Sequence, residues 1–236
     1  MKQTTLTLLA LASIAASSHA AVLITEVVDG NRIAPDGSAG SGSDPFLAFV
    51  EITNTGPTAV SLDGFSIGNF NNGNSTSNFS SAPLSGTLTV GETYYIAYEA
   101  SGAGNAFETT YGFAANQYSG GKFFNGDDVI ILFSTPYGGG GAAVDPANVA
   151  DVYGVLGTDG SGEDWEYQDT VVSRDPAVTS GTSTFDDSEW FFGAVNLFDG
   201  EGAAFHEANT TVSQIPEPTS AFLGGLGLLA LLRRRR

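Results

Sequence analysis

The strongest constraint on this chain is the spacing of its apolar residues. Short β-branched or aromatic runs recur between residues 22 and 173, most of them closed by Gly, Asn or Asp. Residues 22–28 end at Asp29-Gly30, 46–53 run into Asn54-Thr55-Gly56-Pro57, and 60–62 and 65–67 flank Asp63-Gly64. Further runs cover 84–90, 93–99, 128–134, 149–156 and 170–173. Alternation or continuous apolar character over 4–8 residues between turn residues is a strand signal. No 12-residue window in this stretch has a period of 3.6. The pattern predicts an all-β, immunoglobulin-like β-sandwich. Its connections are long: 29–44, 69–81, 101–121 and 136–143 are rich in Gly, Ser and Asn or carry isolated aromatics. Loops of that length are either mobile or functional.

Charge narrows the function. Residues 21–214 hold three basic residues (Arg32, Lys122 and Arg174) against 25 acidic ones, a net of −22. Such a surface repels nucleic acid and anionic membranes, so no nucleic-acid partner is expected. Cysteine is absent, which excludes disulfides and thiolate chemistry.

Both ends depart from this pattern. Lys2, an apolar run over 6–16 and the small residues of Ser18-His19-Ala20 form a secretory signal, with signal peptidase expected to cut after Ala20. The run is too short for a membrane span, which needs roughly 20 residues. At the other end, Pro216-Glu217-Pro218 precedes an apolar stretch at 219–232 and the basic stop Arg233-Arg234-Arg235-Arg236. The arginines favour the cytoplasmic side, which places the apolar stretch in the inner membrane. The two prolines stop the helix from extending backwards. This tail resembles the PEP-CTERM sorting signal of Gram-negative bacteria. The resemblance implies transient inner-membrane insertion, recognition by an exosortase, cleavage near Pro216 to Pro218, and a product at the cell surface or in an extracellular matrix. The expected organisation is a signal peptide at 1–20, a sandwich domain at 21–202, a linker at 203–214 and a sorting signal at 215–236.

The body carries a second resemblance. Leu23-Ile24-Thr25-Glu26-Val27, the run from Phe49 through Asn54 to Gly56, Leu88-Thr89-Val90-Gly91-Glu92 with Tyr94-Tyr95, and Asn125-Gly126-Asp127-Asp128 together resemble a lamin-tail domain. Asp151-Val152-Tyr153-Gly154, Arg174-Asp175, Phe185 to Trp190 and Phe198-Asp199-Gly200 are similar to a bacterial subset of that family, in which such modules accompany extracellular nucleases. No nuclease domain or nuclease-like His/Asp/Asn constellation is present here. The resemblance therefore implies a fold and a cell-surface setting, not an activity.

Candidate chemistry is sparse. Once the signal is removed, His206 is the single histidine, and it is expected in the linker, so neither a Ser-His-Asp triad nor a zinc site is legible. Catalytic residues and cofactors are expected to be none. Calcium is the ion that the acidic loops suit, because it takes six to eight oxygen ligands. The densest stretch offers Asp159, Glu163 and Asp164 as ligands, with Asp127-Asp128 and 186–189 as further acidic segments. Aromatics between 94 and 118 suggest an extracellular polysaccharide as another partner. Alternation puts Tyr94 and Tyr98 on one face of a strand and Tyr95 on the other. Glu51 is expected to accept backbone N–H bonds or to pair with Arg174. The expectation is a non-catalytic structural or binding module, with a calcium- or polysaccharide-binding adhesion module and, behind it, a hydrolase or nuclease accessory as the alternatives.

Overall fold

The structure, a computed structural model, describes residues 22–74, 82–98, 105–119, 124–136 and 143–212. The expected signal peptide and sorting signal lie outside them. In chain order the strands are β1 (Val22–Arg32), β2 (Phe46–Asn54), β3 (Val60–Ser61), β4 (Ser66–Phe70), β5 (Ala82–Pro83), β6 (Thr87–Leu88), β7 (Thr93–Ala97), β8 (Gln117–Tyr118), β9 (Val129–Phe133), β10 (Val149–Tyr153), β11 (Val171–Arg174) and β12 (Trp190–Phe192). Two short helices join them, α1 (Ala106–Tyr111) and α2 (Ala203–Asn209). Neither is long and apolar enough to cross a membrane.

The strands build a sandwich. One sheet has the order β12-β11-β1-β2-β7-β8, the other β10-β9-β4-β5, and β3 pairs with β6 at the side. Pairing is antiparallel except for β7 with β8. The core between the sheets takes Val22, Ile24, Val50, Ile52, Ile96 and Tyr98 from the first and Ile67, Phe70 and 129–133 from the second. Each fully buried side chain of this size contributes about 1.5–3 kcal/mol. The all-β, immunoglobulin-like sandwich read from the sequence is what the chain forms.

The outer face of the six-stranded sheet is also covered. Val28, Phe49, Tyr95 and Ala97 meet Phe107 and Tyr111 of α1, together with Phe198 and Ala203. Phe49 packs edge-on against Phe107 at 5.3 Å and against Tyr111 at 5.7 Å. The alternation through β7 is therefore real: Tyr94 and Tyr98 enter the inner core and Tyr95 the outer one. These rings are packing residues rather than an exposed sugar platform, because Tyr94, Tyr95, Tyr98, Phe107 and Tyr111 are all buried.

The segment read as a linker differs from expectation. Of its residues, 203–212 are described, and 203–209 form α2, docked on the outer face. Asn31 N–H donates to His206 Nε2 at 3.2 Å, and the imidazole stacks on Phe198 at 4.1 Å. Thr211 N–H donates to Glu26 Oε1 at 2.7 Å, and Tyr111 Oη and Thr210 Oγ1 share a hydrogen bond of 3.0 Å. The domain thus reaches Val212. A polar, seven-residue helix held by partners far away in sequence carries too little periodicity to announce itself.

Candidate functional site: an acidic cleft and buried titratable groups

The loop between β10 and β11 wraps around Trp165. Tyr153 Oη donates to the Trp165 carbonyl at 2.5 Å, and the Tyr153 ring packs edge-on against Trp165, Phe185 and Trp190. Gly160 lies so close to the indole that a Cβ there would come within 2.7 Å of the ring, so only glycine lets the loop close. Above this aromatic floor opens a cavity of about 660 Å³. Its carboxylates are Glu163 and Asp164 from this loop and Asp186, Asp187 and Glu189 from the segment entering β12. Ser188 donates twice to Asp186 Oδ1, from its hydroxyl and its N–H, which holds that carboxyl below the usual range.

The three calcium candidates are not brought together. Glu163 and Asp164 line the cleft, whereas Asp159 accepts from Asn72 Nδ2 at 3.1 Å and from Ser161 N–H at 3.0 Å. Asn72 Nδ2 also donates to Asp127, and Ser161 Oγ donates to Asp127 at 3.0 Å. Asp159 and Asp127 are thus tied to amide and hydroxyl donors. Among the described residues no three His, Cys, Asp or Glu side chains are set to hold a metal ion. The adjoining Asn125-Gly126-Asp127-Asp128 segment is a lacing point. Gly126 has φ of +94°, and a Cβ there would fall 2.2 Å from Gln168 Cα. Asp128 accepts N–H bonds from Asn72 and Asn125, and burial raises its carboxyl to about 7.

Beneath the cleft sits a buried ion pair. Arg174 Nη2 lies 2.9 Å from both Asp151 oxygens, which also accept the N–H groups of Ile24 and Thr182. Arg174 Nη1 reaches Glu189 Oε2 at 2.6 Å, and its guanidinium lies 4.4 Å over the Trp190 ring. Burial pushes the Asp151 carboxyl up, and Arg174 with the two N–H donors pulls it back, for a net of about 6; the guanidinium against both oxygens makes Asp151 the anionic partner of the pair. The sequence offered Glu51 as a partner for Arg174. The structure gives that place to Asp151 and Glu189.

Glu51 instead faces Glu26. The register of β1 against β2 skips between Ile24 and Glu26, a bulge at Thr25. The bulge keeps both Ile24 and Val27 in the inner core and sets Glu26 opposite Glu51 in the β1–β2 register. Glu51 accepts from Thr25 Oγ1 at 2.5 Å. Glu26 binds Thr211 N–H with one oxygen, and its other oxygen, buried, has no hydrogen-bond partner. Burial, reinforced by Glu51, raises the Glu26 carboxyl to about 8.

The lone histidine of the body is committed as well. Because Nε2 accepts from Asn31, Nδ1 carries the proton and donates to the Gly202 carbonyl at 2.9 Å. Burial lowers its pKa.

Sequence comparison adds the lineage. The Lamin Tail Domain family matches residues 15–154, more than half of the 236-residue chain. The chain belongs to the lamin tail domain family. The PEP-CTERM protein-sorting motif matches residues 214–236, which marks an exosortase-sorted extracellular protein carrying a lamin tail domain. No curated protein and no solved structure matches the chain. The lamin tail domain match ends at Gly154, yet β11, β12, α2, Arg174 and all five cleft carboxylates come from residues beyond it. Little in the sequence announces the cleft, since its acids come from two segments 22 or more residues apart. The signals in hindsight were the two acidic stretches and their nearby aromatics, Trp165 and Phe185.

Proposed function

We propose that this protein leaves the cell through its N-terminal signal, is cut after Ala20 by signal peptidase, and passes through the inner membrane of a Gram-negative cell held briefly by residues 219–232. An exosortase then removes the tail near Pro216 to Pro218. The mature lamin tail domain acts at the surface or in the extracellular matrix as a non-catalytic structural or binding module.

The observation that carries this reading is the sorting motif at 214–236 directly following a folded lamin tail domain. The non-catalytic part is supported by His206, whose ring nitrogens are both occupied and whose imidazole is buried. A base held in that way cannot take a proton from a nucleophile. Polysaccharide remains a partner class for the matrix role, through surfaces other than the buried aromatics of β7 and α1.

Deleting residues 215–236 and fractionating the host cells tests the sorting step. The protein is expected to disappear from the surface and matrix fractions and to collect in the periplasm. An unchanged distribution would contradict it.

A further inference from the structure

Next to the acidic cleft lies a second hollow of about 270 Å³, lined by Ile131, Val144, Val149, Val152 and Leu156. The two adjoin across Val155, Thr184 and Phe185, which line both. Val155 is 41% exposed and Leu156 37%, so apolar side chains stand in solvent beside five carboxylates. Among the described residues the cation nearby, Arg174, is committed to Asp151 and Glu189. Both volumes together fall within the range of a ligand site, roughly 300–1,000 Å³.

We propose that this two-part cleft docks a peptide segment of a partner protein in which a bulky apolar side chain stands next to Lys or Arg residues. The inference rests on the reading of the domain as an extracellular binding module and names the kind of partner it takes. The apolar side chain enters the hollow and removes Val155, Leu156 and Phe185 from water. The flanking cations meet Glu163, Asp164, Asp186 and Asp187. A plain polycation would leave the apolar hollow unused. A second copy of this chain is disfavoured, because two bodies of net charge −22 repel each other. A neutral sugar ring needs an open aromatic face, and Trp165, 5% exposed, is covered by Tyr153, Phe185 and Gly160. Charge complementarity therefore selects a basic partner, and the apolar hollow selects a basic segment with an apolar anchor.

The test is fluorescence anisotropy on the purified full chain with three fluorescein-labelled synthetic peptides. The first carries Leu-Phe followed by Lys-Arg-Lys, the second has Ser-Ser in place of Leu-Phe, and the third has Glu in place of every basic residue. The first peptide is expected to bind about tenfold more tightly than the second, and the third not to bind. The Glu163→Gln/Asp164→Asn/Asp187→Asn variant should weaken the first peptide about tenfold, and Leu156→Ser several-fold. All four positions are exposed, so both variants are expected to fold, which circular dichroism checks. Equal binding of the first two peptides, binding that survives either folded variant, or no binding of the first peptide overturns the proposal. A protein that is sorted to the surface but ignores the peptide sinks this inference alone. A protein that keeps its tail in the inner membrane sinks the functional reading, whatever the peptide does.

Discussion

Two buried acid sites border the six-stranded sheet, and they solve the same problem differently. Asp151, at the sheet-to-sheet junction, is given a guanidinium and two backbone N–H groups and stays ionised. Glu26, on β1, is given one backbone N–H and the company of Glu51, and it holds its proton up to about 8. The difference teaches that burial sets the protonation state unless a cation is supplied with it. A body with three basic residues has few cations to bury, and among the described residues Arg174 is spent in this way.

The largest break in that contrast is Arg174→Met. It strands Asp151 as a buried, uncompensated carboxylate and is expected to cost about 3–5 kcal/mol at neutral pH. Urea unfolding measures it. Adding Asp151→Leu should recover most of the loss, since a well-packed apolar pair is often as stable as the ion pair it replaces. A single variant that costs under about 1 kcal/mol would mean that Asp151 is neutral like Glu26, and the contrast would vanish.

The Glu26 side shows in pH dependence. Its carboxyl titrates near 4.5 in the unfolded chain and near 8 in the folded one. Between those values the folded state binds the extra proton. The stability Glu26 contributes is therefore full below 4.5 and is lost as pH rises through 8. Glu51, Asp128 and Asp151, all raised, act with the same sign. Thermal unfolding should occur at a higher temperature at pH 5.5 than at pH 8.5. Glu26→Gln, which keeps an acceptor for Thr211, should reduce the loss by on the order of 3 kcal/mol. A variant with the wild-type slope would show that Glu26 is ionised in the folded protein.

His206 runs in the opposite direction and more weakly. Its folded pKa lies below 6.5, so the stability it contributes is present above 6.5 and is lost as pH falls through the lowered value. Replacing it with Ala should cost about 2 kcal/mol at pH 7 and flatten the acid side of the profile. Amide exchange should then localise the loss to α2. The smallest effect belongs to an exposed acid: Asp159→Asn should leave the urea midpoint essentially unchanged. A clear fall in the midpoint would make the bond from Asn72 a structural tie comparable to the buried ones.

Much of the inner sandwich was legible in the sequence. Strands such as β9, continuously apolar, and β7, with Tyr94 and Tyr95 side by side and facing opposite cores, declare themselves through local pattern. What was not legible is set by partners far away in the chain. Nothing near Arg174 says which of 25 acids it will choose, because Asp151 reaches it only once β10 and β11 are placed. The bulge at Thr25, which sets Glu26 opposite Glu51, leaves no mark in a β-branched run. Helices of six and seven residues are too short to show a period, although Asn105 capping Glu108 N–H and Gly112 at a φ of +75° were a readable start and stop for α1. The acids of the cleft were visible one by one. Their meeting place was not, nor was the separation of Asp159 from Glu163 and Asp164.

The fate of the two ends of the chain decides whether the protein is sorted or anchored. Intact mass of the native protein from fractionated host cells reads both at once. The expected result is a species beginning at Ala21 and ending near Pro216 to Pro218, recovered from surface or matrix material. A species that keeps Arg236 and is found only in the inner membrane would contradict it. The domain would then face the periplasm on a permanent anchor.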